Sequence, residues 1–356
     1  MKIPYLLPIL AVMLMLASAT ASAQTDRTYD TGILQARIDS LTQRLDKIEK
    51  KTSGWDKVLA NLPRITGYGI LGYEWNDAGE TPVSSFHIKS VRLILVGDIG
   101  RKFDYKFQFE FVSPKLMDAY LRYKIHPAFS LQAGQFRTFF SLEGPMIPAE
   151  MEATDYAPVV KAICVETHDT RDIGLAAYGS LIPRDGYSII EYFAGVYNGE
   201  GKNSTDRNSS KDFIARVKLN PSERFTISAS FGYGERGETY VHNTRYAAGL
   251  WWHGERFFLR SEYMALRQND WAAGMKRNIE GCYATAGYNI KKFCPIVRYN
   301  WMESDMSGTS VRQSDYLVGI DYHPLKYLRL QANYTRTQYA GNGGANIFGL
   351  LVTGTF

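Results

Sequence analysis

The sequence predicts an all-β protein, a 16-stranded antiparallel transmembrane β-barrel, and three observations carry that expectation. From Arg64 to Phe356 the hydrophobic period is two residues. Tight turns alternate along the chain with longer, polar or Gly-rich connections. Outside the extreme N-terminus there is no apolar run of the roughly 20 residues that a membrane helix needs. The composition fits the same reading. With 45% hydrophobic and 22% charged residues and a mean hydropathy of -0.25, the chain looks soluble on average. Alternation produces that average, because each lipid-facing residue is counted with a water-facing one. Tyr (24) outnumbers Phe (18), as aromatic girdles at two membrane interfaces require.

Taken in order, residues 1–23 read as an export signal. Lys2 gives the positive start, Ile3 to Leu16 the apolar stretch, and Ala21-Ser22-Ala23 a small-residue cleavage site before Gln24. The formal net charge of +5 is too mild to argue for nucleic acid as a partner. Residues 24–63 are expected to form a periplasmic stem. Leu34, Ile38, Leu41, Leu45 and Ile48 are spaced 4, 3, 4 and 3, the seam of a short coiled coil. Little more than two heptads is marginal alone, so a second oligomer interface is expected to support it.

The barrel is expected over residues 64–356. Phe103, Tyr105, Phe107, Phe109 and Phe111 alternate with Asp104, Lys106, Gln108 and Glu110, and Phe225 to Phe231 and Phe213 to Leu219 repeat the pattern. The strands read as 64–75, 85–98, 102–112, 116–125, 129–137, 171–180, 187–197, 211–219, 224–234, 241–252, 256–267, 277–290, 293–302, 312–323, 327–337 and 345–356. Short turns such as Ile99-Gly100-Arg101 and Lys291-Lys292 mark one end. The stretches 198–210, 268–276, 303–311 and 338–344 are expected as longer loops at the other. That layout, with an even strand number and about 16 residues per strand and connection, is the one expected of a bacterial outer-membrane barrel. Closure also removes the edges that an open sheet would expose. The C-terminal strand ends on Phe356, resembling the signal read by the barrel-insertion machinery, which with outer-membrane lipid is an expected partner.

Three cysteines are expected as free thiols. In a hairpin turning at Lys291-Lys292, Cys282 faces Trp301 rather than Cys294, so those two cannot be bridged, and Cys164 stands alone in a loop. No cofactor, metal motif or catalytic constellation is found. The histidines lack metal-like spacing, and His168-Asp169 near Glu166 is the one suggestive cluster. An enzyme is therefore not expected.

A lumen of this strand number is too wide for side chains to fill, so water enters. The largest connection, 138–170, is the third loop on the long side. Its Phe139, Phe140, Met146 and Met151 argue that it folds inward as a constriction.

Gly134-Gln135-Phe136-Arg137-Thr138-Phe139-Phe140-Ser141-Leu142-Glu143 resembles the G-Q-F-K-x-P-F-S-x-E stretch of the phosphate-selective porin O and P family. Arg171-Asp172-Ile173-Gly174 resembles its R-D-x-G strand, and Gly195 to Gly201 its N-G-x-G strand end. Phe139 departs from the motif's Pro. The resemblance implies a homotrimer of water-filled pores that pass anions or small solutes, and a trimer would support the coiled coil.

The chain's own charges give a mixed picture. Polar strand faces taken as luminal supply Lys106, Arg122, Lys124, Arg216, Lys218, Arg245, Arg256, Arg260, Arg298 and Arg329. They also supply Asp104, Glu110, Asp118, Asp212, Glu262, Asp315 and Asp321. The loop adds the acids Glu143, Glu150, Glu152, Asp155, Glu166 and Asp169 against Lys161. An acidic loop facing a basic wall is expected to set up a transverse field. Arg122, Lys124 and Arg137 are the expected eyelet residues because they precede the loop on adjacent strands, with Arg171 and Lys161 next. The expected function is passive diffusion of small hydrophilic solutes, whether phosphate and other anions or small neutral ones. A general diffusion or sugar porin is the alternative; a structural or adhesive barrel, or a membrane enzyme, belongs to another class.

Overall fold

A computed structural model describes Ser40, Gln43 and residues 62–166, 170–341 and 343–356. The expected signal (1–23), the coiled-coil seam from Leu34 to Ile48 and the pair His168-Asp169 lie outside the described residues.

Alternating residues give sixteen strands: β1 (Arg64–Asn76), β2 (Val83–Ile99), β3 (Phe103–Glu110), β4 (Lys115–His126), β5 (Phe129–Arg137), β6 (Arg171–Arg184), β7 (Tyr187–Tyr197) and β8 (Asp212–Ser222). They continue as β9 (Phe225–Arg236), β10 (Val241–His253), β11 (Phe257–Asp270), β12 (Met275–Tyr288), β13 (Phe293–Met306), β14 (Thr309–Leu325), β15 (Leu328–Tyr339) and β16 (Gly344–Thr355). Every strand pairs antiparallel with its sequence neighbours, and β1 pairs with β16 to close the barrel. Phe356 completes the seam: its N–H donates to the Gly67 carbonyl at 3.0 Å, and its own carbonyl accepts from Gly67 at 3.1 Å. A Cβ at Gly67 would sit 2.5 Å from the Phe356 ring, so this glycine lets the terminal aromatic lie flat on the outer face.

The outward faces are apolar. Tyr299 and Tyr316 pair across strands at one height, while Phe293 stacks on Tyr322 and Phe103 on Tyr123, each at 4.5 Å, near the short turns. These are the interfacial aromatics that the Tyr count implied. Cys282 faces Trp301, and all three cysteines are free.

Three of the expected long loops are corrected. Strands β11 and β12 run on until only 271–274 connect them, and β15 and β16 until only 340–343 do. In place of a loop at 303–311, Ser307 (φ 52) and Gly308 (φ 93) form a two-residue turn of positive φ, the hairpin turn that suits strand twist. In the last of these, Glu303, Ser304 and Asp305 put polar groups on both faces, so the alternation that marks a strand in lipid vanishes while the ladder continues. Glu303 stays opposite Arg312 and pairs with it at 2.8 Å. Arg256 is also corrected: it lies exposed in the turn before β11 and not on the wall.

Candidate functional site: the lumen and its loop

Parity predicts polar residues facing the lumen, and on much of the wall it fails. Inward positions of β8, β11 and β12 hold Ile214, Met264, Leu266 and Ile279, each no more than 1% exposed. Apolar groups facing water cost about 25 cal/mol per Å², so something must cover them. The connection 138–170 does. Its Phe140, Ala157, Val159, Val160 and Ile163 pack on that patch. Ala153 packs with Ile296 and Leu317 on β13 and β14, and Ile147 and Ala149 pack against Tyr68, Ile70 and Leu351 on β1 and β16. Apolar residues at luminal parity are thus the sequence signal for the docking surface, one that the charge tally passed over. Residues Pro158–Val160 form a single α-helical turn, α1, continued by π-helical turns over Lys161–Glu166.

Polar wall residues fix the backbone of the loop. The Glu262 carboxylate on β11 accepts hydrogen bonds from the Leu142 N–H (2.7 Å), the Glu143 N–H (3.3 Å), the Ser141 hydroxyl (2.8 Å) and the Tyr283 hydroxyl (2.8 Å). Asn300 accepts from the Val159 N–H at 3.1 Å, and Gln331 donates to the Met151 and Glu152 carbonyls. Arg216, Arg298 and Arg329 donate to the carbonyls of Ser141, Asp155 and Ala149 at 2.8, 2.8 and 3.0 Å. Buried amides and carbonyls that would lack partners in a dry contact are satisfied here.

The expected transverse field is corrected by these contacts, because acids and bases touch rather than face each other across a gap. Arg260 pairs with Glu143 (3.1 Å) and Glu152 (2.7 Å). Asp155 takes Lys89 (3.6 Å) and Lys161 (3.1 Å). Burial would raise the Asp155 carboxyl, but the two lysines overcome it and hold it below the usual carboxylate range. Asp155 in turn raises Lys161 above its ordinary value. Glu150 is exposed.

The remaining expected residues separate by height. Arg137 ends β5 and Arg171 starts β6, directly opposite each other beside the loop. Arg122 and Lys124 lie at the far end of β4, because antiparallel β4 runs away from the long-loop side. Arg122 pairs in register with Gln132, five residues below Arg137 or about 17 Å along β5. Arg122 and Lys124 share Asp104, at 2.8 and 2.9 Å, and Lys218 meets Glu191 at 3.4 Å. They do not join Arg137 at the loop. Lys106 and Arg171 both bind Asp118, at 2.8 and 2.6 Å.

Arg137, Arg171 and Arg92 line one cavity of about 230 Å³, with Lys89, Lys115 and Lys202 beside them and Glu110 as the lining acid. Arg92 is paired with Glu110 at 2.9 Å. Arg137 makes no ion pair among the described residues, and one of its nitrogens donates to the Gly144 carbonyl at 3.1 Å. Each of the three arginines keeps a buried guanidinium nitrogen without a partner: Nη1 of Arg92, Nη2 of Arg137 and Nη2 of Arg171. Arg92 was missed by the sequence reading, since the apolar run Leu93 to Val96 hides the alternation of β2. No group of His, Cys, Asp and Glu among the described residues is arranged to hold a metal ion.

Two backbone positions shape the start of the loop. Gly134 has φ +125, and a Cβ there would lie 2.2 Å from the Ala119 carbonyl oxygen. Phe139, where the resembling motif has Pro, has φ 46, a conformation closed to proline.

A closed barrel with an apolar outer face, a charged lumen and a wall-docked third loop defines an outer-membrane porin, a channel for small solutes. Residues 68–243 match the model of the family "Phosphate-selective porin O and P". Among solved structures, the fold is similar to the anion-selective porin from Comamonas acidovorans, at 10% identity and TM-score 0.62, over 83% of this chain and 99% of that one. OmpF of Salmonella typhi in complex with daunomycin aligns at 11% identity and TM-score 0.66, over 83% and 98%. OmpT of Vibrio cholerae in its trimer form aligns at 11% and 0.61, over 83% and 100%. These likenesses describe the fold. Among curated proteins, none matches the chain in sequence.

Proposed function

We propose that the channel prefers anions, and that phosphate-sized oxyanions are selected where Arg92, Arg137 and Arg171 meet beside the loop. The observation that carries this reading is the opposition of Arg137 and Arg171 across β5 and β6, both buried, with Asp118 the one ion-pair partner found for the second among the described residues. Like charges directly opposite destabilise a sheet, and an unpaired buried cation is costly. An anion passing the loop relieves both penalties and supplies acceptors for the three orphan nitrogens. Elsewhere on the wall most cations already have a carboxylate, so the preference is local to this site.

The working unit in this reading is a homotrimer, with residues 24–63 as a periplasmic coiled-coil stem, and the chain conducts without catalysing a reaction. The trimer form of the Vibrio cholerae protein and the heptad spacing from Leu34 to Ile48 support the assembly. In planar bilayers, the protein is expected to give stepwise triplet conductance and a reversal potential of anion sign in a KCl gradient. Phosphate added to chloride solution should reduce the current. The double variant Arg137→Gln/Arg171→Gln should abolish both the anion preference and the block. A cation-signed reversal potential in the unaltered protein, or an unchanged preference in the double variant, refutes the reading.

A further inference from the structure

On the other side of the loop's first residues lies a second cavity, of about 140 Å³, which shares no lining residue with the first. It opens toward the short turns, since Arg122, Gln132, Glu191 and Lys218 all stand near the short-turn ends of their strands. Three aromatic side chains line it, Phe139, Tyr178 and Phe193, with Tyr192 beside them at an outward strand position. The positive φ of Phe139 turns its ring onto Phe193, with centroids 5.0 Å apart.

The cations of this cavity are set against those rings. The Arg216 guanidinium lies 5.3 Å from the Phe139 centroid, and that of Arg122 lies 5.8 Å from the Tyr178 centroid. Glu191 offsets Lys218 and Asp104 offsets Arg122. Arg216 has no ion pair among the described residues; it donates to the Ser141 carbonyl at 2.8 Å. The Tyr178 hydroxyl is buried without a partner. One surplus cation, one orphan hydroxyl and an aromatic wall make a mixed site.

We propose that this cavity is a second solute subsite, for small aromatic monoanions of the benzoate class. A carboxylate would meet Arg216 and accept from the Tyr178 hydroxyl, while the ring rests on Phe139 and Phe193. An inorganic anion leaves the aromatic wall uncovered, and a neutral hydrocarbon leaves Arg216 unpaired. Amphipathic character is what the two halves of the lining share. The proposal requires an open channel but not the oxyanion preference at the other cavity.

The test uses the full mature protein in planar bilayers, with chloride current measured as benzoate or acetate is added. The two probes carry the same charge and differ in the ring. Benzoate should block at about tenfold lower concentration than acetate, the ratio that one aromatic contact supports. Phe139→Ala should bring that ratio close to one. If that variant does not assemble, Lys218→Gln on β8 decides, because it leaves Glu191 unopposed and should weaken benzoate block several-fold. The Arg137→Gln/Arg171→Gln variant should retain the benzoate-to-acetate ratio even if it loses oxyanion preference, so failure of one site is distinguishable from failure of the other. Equal block by both probes overturns the subsite. So does a ratio that survives Phe139→Ala, a benzoate block unmoved by Lys218→Gln, or a ratio lost in the arginine double variant.

Discussion

On the wall from β8 to β16, inward positions include the apolar Ile214, Met264, Leu266, Ile279, Ile296, Leu317 and Leu351, whereas from β2 to β6 they include the charged Arg92, Asp104, Lys106, Asp118 and Arg122. Both walls obey the same two-residue alternation and both belong to one lumen. The difference is what covers them. The loop lies on the first wall, where burying apolar area on both partners stabilises the contact and wall side chains satisfy the loop's backbone. The second wall meets the loop through Lys89, Phe136 and Ala176, and beside the loop its Arg137 has no ion pair among the described residues. The two sides of the cylinder therefore differ in emphasis: β8 to β16 hold most of the loop, and β2 to β6 carry the arginines beside it.

The sharpest way to break that contrast is to release the anchor. Glu262→Ala removes the acceptor of two loop amides and the Ser141 hydroxyl. It is expected to cost about 3 kcal/mol of loop docking, given the usual value of hydrogen bonds to a charged group. Protease cleavage within 138–170 and larger, noisier single-channel currents would report it. A loop as protected as in the unaltered protein would mean that apolar packing alone holds it.

Leu266→Ala addresses that packing. A fully buried leucine truncated to alanine costs about 2–4 kcal/mol when the site cannot collapse. The lower part of that range is expected here, because one face of the cavity left behind is the movable loop. The change should raise loop cleavage less than Glu262→Ala does, without altering the sign of the reversal potential. A reversed sign would show that the two walls are not independent.

The smallest effect is the pH response of the Asp155 contact with Lys89 and Lys161. Because the Asp155 carboxyl is held below the usual range, its contribution is complete above about pH 3.9 and is lost as pH falls through the lowered value. Loop cleavage by an acid-active protease should therefore be flat from pH 7 to about pH 4 and rise only below it. Asp155→Asn should be pH-independent over that window. A transition near neutral pH would assign the response to another group.

Much of this was legible in the chain. Sixteen strands, their order and the inward or outward parity of Asp104, Lys106, Arg216, Arg260 and Arg298 follow from alternation, and Arg137 and Arg171 were placed next to the loop by their position at its two ends. Other expectations went astray for definable reasons. Arg122 and Lys124 precede the loop in sequence, but antiparallel pairing carries them to the opposite mouth of the barrel. The stretch 303–311 looked like a loop because both faces of a hairpin above the membrane are wet, and polarity then carries no periodic signal.

The sequence by itself determined the barrel, because alternation, turn chemistry and the need to pair every backbone group in lipid are local requirements, each met within a strand and its neighbours. Only the tertiary structure decided which luminal charges are used up. Glu143 and Glu152 are 117 and 108 residues from the Arg260 they neutralise, and no local pattern records that distance. A charge in a lumen acts according to its nearest opposite charge, so selectivity is a property of the closed cylinder with its loop in place.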